Sequence, residues 1–276
     1  MNFSVEANRL PRSLSSGVVQ DLRWKRTLDI LLILLALPFL LPICLLVAVL
    51  IRSVSSGPVL FRQERVGYLG GRFMCFKFRT MFVDADTTTH RGHLHHLMNS
   101  NAPMMKMDSK GDPRIIPLGL FLRASGLDEL PQLINVVRGE MSLVGPRPCL
   151  PYEYERYLPW QKERFGTLPG LTGLWQVSGK NQTTFLEMIQ LDIKYAKGKS
   201  LWLDLKIILM TIPALIVQML ETRQARKLSS GLNRPKASYS HRIAERYPLA
   251  KAPLVGAVHA ADGQDEWVRK ETKLNL

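Results

Sequence analysis

Two adjacent carboxylates, Asp128 and Glu129, stand in the run Leu-Asp-Glu-Leu-Pro-Gln-Leu-Ile-Asn-Val at residues 127–136. Leu130, Leu133, Ile134 and Val137 fall at helical spacing, Pro131 sits where a first turn tolerates it, and Gly139 is placed to end the helix. Asp128 is then expected at the N-cap. A helix start exposes unpaired N–H groups and partial positive charge, so a carboxylate there stays ionised and a phosphate can dock beside it. That is a setting for a carboxylate nucleophile, although the pair taken alone reads more readily as a cap with a solvated neighbour. Nearby, Gly145-Pro146-Arg147-Pro148 fixes an arginine in a rigid loop, and a forked cation held still suits phosphate recognition.

Several elements must position these groups. A turn at Gly57-Pro58 opens an extended apolar piece and a basic loop, and residues 73–81 alternate in character, so two short strands are predicted. In the second, Lys77 and Arg79 share one face and Phe76 and Phe78 the other. By themselves these cations read as well as a solvated strand face. Residues 120–123 are helix-like and deliver the chain to the acidic pair. Residues 152–165 suggest an amphipathic helix, 169–179 a turn and short strand, and 187–195 a helix on which Asp192, taken alone, is a surface residue.

Residues 30–51 are almost wholly apolar, long enough to cross a bilayer core of ~30 Å as a straight helix. Against that reading stand Pro38 and Pro42, each removing a helix hydrogen bond, so a kink is expected there. Arg23, Lys25 and Arg26 precede the segment and Arg52 and Arg62 follow it. Cations at both ends favour a hairpin that enters and leaves by one leaflet. Residues 201–220 are apolar but interrupted by Asp204, Lys206 and Pro213. The unbroken run from Ile207 is short for a span, and an interfacial helix with Trp202 at headgroup depth is expected.

A formal net charge of +14 and a pI near 9.9 imply an anionic partner. Nucleic acid is disfavoured, because the cations are dispersed and the aromatics lie in apolar pieces rather than in a basic groove. Three cysteines, Cys44, Cys75 and Cys149, show no metal or disulfide spacing, which fits a reducing location. His90, His93, His95 and His96 cluster in a stretch read as a variable polar loop; a transition metal is the alternative. Residues 1–22 are expected to form a flexible leader without a cleavable signal, and residues 222–276 a basic, mostly disordered tail.

The acidic run, together with Gly-Glu-Met-Ser-Leu-Val-Gly-Pro-Arg-Pro at residues 139–148, closely resembles the bacterial sugar transferase family, the monotopic phosphoglycosyl transferases that begin glycan assembly on a polyprenyl phosphate. The likeness extends over about residues 25–218. It implies an α+β fold: a re-entrant membrane helix hairpin joined to a small cytosolic catalytic domain of helices and short strands, with interfacial amphipathic helices. The corresponding division is a leader at 1–22, the re-entrant helix at 23–54, the catalytic domain at 55–221 and the tail at 222–276. Pro42 matches the proline of the family's Ser-Pro break, but Leu41 replaces the serine and Pro38 is an extra proline. Asp29 matches an aspartate before that helix, and Gly126 replaces a usual serine.

The resemblance also implies the chemistry. Asp128 attacks the β-phosphate of a nucleotide-diphosphate sugar, with Mg²⁺ contacting Asp128 and with Glu129 assisting. Lys77, Arg79, Arg123 and Arg147 bind phosphate, and Asp192 occupies a functionally implicated position. Partners would be the nucleotide sugar, polyprenyl phosphate and membrane lipid at the cytoplasmic face of a bacterial inner membrane, with homo-oligomer formation left open. Two alternatives remain at this point: a membrane glycosyltransferase without covalent intermediate, and a non-catalytic basic scaffold.

Overall fold

Alternation at residues 60–78 produces the expected hairpin. Strands β1 (Leu60–Val66) and β2 (Arg72–Phe78) pair antiparallel, with Leu60 opposite Phe78 and Val66 opposite Arg72. Phe76 and Phe78 are buried, as the period of two requires. The computed structural model describes residues 12–83, 97–98, 100, 102–104, 112 and 114–229, with side chains described between 23 and 224. The histidine cluster and most of the C-terminal stretch lie outside the described residues.

Helix α1 (Arg12–Val54) runs through Pro38 and Pro42 and takes in half of the stretch expected as a leader. Its contacts follow one stripe at intervals near four residues: Lys25, Asp29 and Ile33 are buried, then Val47 and Ile51. Ile33 packs with Cys75, Val136 and Met141, while Val47 and Ile51 pack with Phe78, Ile116 and Leu122. Both halves of α1 therefore rest on the same body. Between them large apolar side chains such as Leu34, Leu35, Phe39 and Leu46 are more than half exposed. At ~2 kcal/mol per fully buried side chain, leaving this face in water would cost on the order of 10 kcal/mol, comparable with the whole stability of a domain. Such a face is compatible with an apolar medium.

The catalytic stretch continues as α2 (Gly119–Ser125), a 3-10 segment at Leu127–Gln132, and α3 (Leu133–Arg138), closed by Gly139 at φ 80° as expected. Strand β3 (Ser142–Val144) pairs in parallel with β4 (Gly170–Thr172). The single amphipathic helix expected at 152–165 is instead two pieces, α4 (Pro151–Arg156) and a 3-10 segment at Pro159–Gly166. Pro159 is the reason, since it disfavours helical geometry at Leu158, which sits at ψ 155°. Then come α5 (Leu174–Val177), α6 (Phe185–Gly198) and α7 (Leu201–Ser229). A Thr184/Glu187 capping box starts α6.

The main core gathers Val66, Val144, Trp175, Phe185, Ile189, Tyr195 and Ile207 from both hairpin and helices. Helix α7 departs from expectation in length: Leu201–Gln224, like Arg23–Val54, is long and apolar enough to cross a membrane, because helix geometry continues through Pro213.

A buried polar cluster ties α1, α6 and α7 together. Lys25, 1% exposed, donates from Nζ to Asp204 and to the Tyr195 hydroxyl (2.8 Å), and Tyr195 donates to Asp204 Oδ1 at 2.7 Å. Arg26 donates to the carbonyls of Val136 and Val137 in the last turn of α3, where Val136 O also accepts from Gly139 N (3.0 Å). Asp29 accepts from the Ser142 hydroxyl (3.1 Å) and the Leu143 amide (3.0 Å). The cations before the apolar run, with Asp29, thus fasten the helix to the body formed by α3, β3, α6 and α7.

Candidate active site

Asp128 is not an N-cap. Gly126 occupies that position, at φ 76°, and Asp128 and Glu129 form the first turn of the 3-10 segment. The physical reason is the turn itself: α2 ends and the next segment begins at one left-handed residue, which glycine adopts without strain. A side chain there would also meet Leu215, 3.1 Å from a Cβ.

Lys77 Nζ donates to Glu129 Oε1 at 2.7 Å, so the strand cation and the acidic pair are brought together as the family resemblance implied. Burial opposes ionisation of Glu129, but the charges of Lys77, then Lys180 and Arg147, hold it well below the usual carboxylate range. It is an anion at any physiological pH. Asn135, wholly buried, secures the strand that carries Lys77: its Oδ1 accepts from Phe76 N (3.1 Å) and its Nδ2 donates to Met74 O (2.7 Å). A polar residue among the apolar positions of the Leu-Pro-Gln-Leu-Ile-Asn-Val run was the available signal for that role.

Arg147 lies in the loop after β3. Its charge reaches Glu129, Arg65 and Asp192. Burial, and after it the nearby charge of Arg147, push the Arg65 guanidinium down, so two cations stand close together behind this loop. One side chain and one backbone amide clasp this loop. Arg65 donates to Pro148 O (3.2 Å), and Gly170 N donates to Pro146 O (2.9 Å). The glycines allow the approach: a Cβ on Gly170 would fall 2.0 Å from Gly145 N and 2.3 Å from Thr172 O. Gly170→Ala is expected to cost about 3 kcal/mol through overpacking against backbone and to displace Arg147. Thermal midpoint and turnover should fall together, and a variant that melts with the native chain would contradict the close approach.

The remaining expected residues are placed differently. Asp192 is buried behind the loop, paired with Arg164, which also donates to Tyr157 Oη (2.9 Å) and Arg147 O (2.8 Å). It is 1% exposed and holds the loop through Arg164. Arg79 is buried too and donates to the carbonyls of Ser56 (2.6 Å) and Ser55 (3.0 Å), closing the end of α1. Arg123 lines the cleft described next, at the end of α2. Pro38 and Pro42 lie on the exposed part of α1.

Burial raises the Asp192 carboxyl from 3.8 to about 6, against the pull of Arg164. The folded chain therefore takes up a proton in this window that the unfolded chain does not, and the contribution of Asp192 to stability falls as pH rises from about 4 to about 6. Asp192→Asn cannot titrate. The thermal midpoint of the native chain relative to this variant is expected to be more favourable near pH ~4.5 than near pH ~7, and an unchanging difference would exclude the raised pKa.

The acidic pair opens on a cleft of ≈ 920 Å³. One wall carries Arg123, Asp128, Glu129, Gln176 and Lys180; the other is α7, with Ile208, Thr211, Ile212 and Leu215. Among the described residues no cluster of three or more metal-ligating side chains occurs. Two adjacent carboxylates fit Mg²⁺ of the kind shared with substrate phosphates and water, rather than a cation in a protein cage.

Residues 20–218 match the family model described as bacterial sugar transferase. The chain belongs to that family. Among its relatives are the exopolysaccharide production protein ExoY of Sinorhizobium fredii, 40% identical over 195 residues, 69% of this chain and 84% of that protein. The UDP-glucose:undecaprenyl-phosphate glucose-1-phosphate transferase of Caulobacter vibrioides is 41% identical over 207 residues, 72% of each chain. Galactosyl transferase CpsE of Streptococcus agalactiae serotype III is 44% identical over 164 residues, 59% of this chain. The chain spans only 36% of that last protein's length. The matched region of the sugar transferase family contains all the site residues named above, from Lys77 to Asp192.

Proposed function

We propose that this chain transfers a sugar 1-phosphate from a UDP-sugar to undecaprenyl phosphate through a covalent aspartyl intermediate, and so begins a polysaccharide or glycoconjugate. The observation that carries the reading is the Asp128–Glu129 pair, held in a cationic field by Lys77, Lys180 and Arg147 and opening on a cleft with one apolar wall. The names of relatives that act on UDP-glucose and undecaprenyl phosphate support the substrate classes.

In this scheme an oxygen of Asp128 attacks the β-phosphorus. The bond from that phosphorus to the oxygen bridging to the α-phosphate breaks, and nucleoside monophosphate leaves with the electron pair. A phosphate oxygen of the lipid acceptor then attacks the same phosphorus and releases Asp128. Two anions must meet at each step, so the field of Lys77 and Arg147 lowers the barrier where charge accumulates. Asp128 and Glu129 would hold Mg²⁺ together with substrate phosphates, and the ion would neutralise phosphate charge. Asp192 and Arg164 keep the Arg147 loop in place and do not touch substrate.

The same reading makes α1 a re-entrant hairpin in the cytoplasmic leaflet of the inner membrane and α7 an interfacial helix. What supports it is that both halves of α1 pack on one body while the middle, with Pro38 and Pro42, is exposed and apolar. The experiment is incubation of the detergent-purified chain with Mg²⁺ and a radiolabelled UDP-sugar, without lipid acceptor. Label retained on the protein and stoichiometric nucleoside monophosphate are expected. Release of nucleoside diphosphate would instead indicate direct glycosyl transfer and sink the proposal.

A further inference from the structure

Lys180 had no place in the sequence reading, yet it stands where the two unlike walls of the cleft meet. Its Nζ donates to Gln218 Oε1 on α7 at 3.2 Å. Gln218, 9% exposed, donates in turn to the carbonyls of Arg123 (3.1 Å) and Ala124 (3.0 Å), just ahead of the turn to Asp128. The next residue is fastened as well, since Asn181 Nδ2 donates to Glu221 Oε2 at 3.1 Å. Two successive residues of this loop are thus stapled to the apolar helix, and one of the staples continues into the segment that delivers the acidic pair.

The directions of approach differ among the cations. Lys77 reaches Glu129 from β2, and Arg147 acts from the loop after β3. Lys180 acts from the cleft itself, beside Ile208, Ile212 and Leu215 of α7. A nucleotide sugar offers an apolar wall only the faces of its base, the sugars and the diphosphate being polar. An isoprenoid phosphate matches both features at once, with an anionic head for the ammonium and a hydrocarbon chain for the helix.

We propose that Lys180 binds the phosphate of the lipid acceptor, with the cleft face of α7 receiving the first isoprene units, so that Lys180 is an acceptor-side cation distinct from Lys77 and Arg147. This rests on the two-step reaction proposed above. It divides the site between its substrates: the donor diphosphate lies toward the strand and the loop, and the acceptor enters along the helix.

The test uses the full chain in detergent with Mg²⁺, undecaprenyl phosphate, and whichever of UDP-glucose or UDP-galactose the native chain turns over. Lys180→Met is expected to raise KM for undecaprenyl phosphate about tenfold or more, while KM for the UDP-sugar moves less than about threefold. Lys180→Arg should restore most of the acceptor affinity. Ile212→Ser, an exposed position on the apolar wall, should raise the same acceptor KM without a charge change. Lys197→Met, which removes an exposed lysine paired with Glu163 on α6, should alter neither constant. An equal rise in both KM values for Lys180→Met, or an acceptor KM unmoved in both Lys180→Met and Ile212→Ser, would overturn the assignment. Failure to trap any label on the native chain would reject the covalent step alone, because the KM split reads acceptor binding independently.

Discussion

Asp128→Asn is expected to lower turnover by about 10⁴-fold or more, with no label retained on the protein and no nucleoside monophosphate released above background. An amide of the same shape keeps the packing of the first 3-10 turn but offers no nucleophilic carboxylate oxygen. Glu129 is not a ready substitute. It already accepts from Lys77, and the surrounding cations spend their field on keeping it ionised. The variant should melt with the native chain, since Asp128 lines an open cleft rather than a packed interior. Turnover within tenfold of native, with labelled protein still formed, would remove Asp128 from the centre of the reaction.

Lys25→Met is expected to destabilise the folded chain by about 3 kcal/mol or more, because it leaves the Asp204 carboxylate buried without its cation. That is a large fraction of the 5–15 kcal/mol typical of a domain. Tyr195 would still donate to Asp204, which limits the loss. Replacing both partners, Lys25→Met with Asp204→Leu, should recover much of it, since an apolar pair of similar size removes the unpaired charge as well. Thermal midpoints of the two variants in one detergent give the comparison. A single variant as stable as the native chain would mean that the cluster adds little.

How much of this was legible in the sequence differs by residue. The strand hairpin was, because Phe76 and Phe78 alternate with Lys77, and a period of two admits few other arrangements. So was the meeting of Lys77 with the acidic pair, through the family resemblance rather than the spacing. The cap at Asp128 was misread because one left-handed residue, Gly126, serves as the end of α2 and the start of the next segment, and composition does not reveal that economy of turns.

Asp192 was grouped with the ligand-binding residues. Its partner Arg164 is 28 positions away on a different element, and no local pattern announces a buried pair. Alternation put Arg79 on one face with Lys77 and the family resemblance gave both to phosphate, yet Arg79 lies one residue beyond β2, where carbonyls of the α1 terminus capture it. Lys180 and Gln218 were invisible for the same reason: 38 positions separate them, and only the fold makes them neighbours.

The Lys25–Asp204–Tyr195 cluster also bears on how the protein responds to its surroundings. It joins α1 and α7, the two helices long and apolar enough to cross a membrane, through buried side chains. Under the membrane placement proposed above, neither helix can then tilt to follow a thicker or thinner bilayer without carrying the other and the carboxylates along. The height of the reaction above the acyl chains becomes a property of the polypeptide, and changes in lipid chain length should leave the turnover number almost untouched.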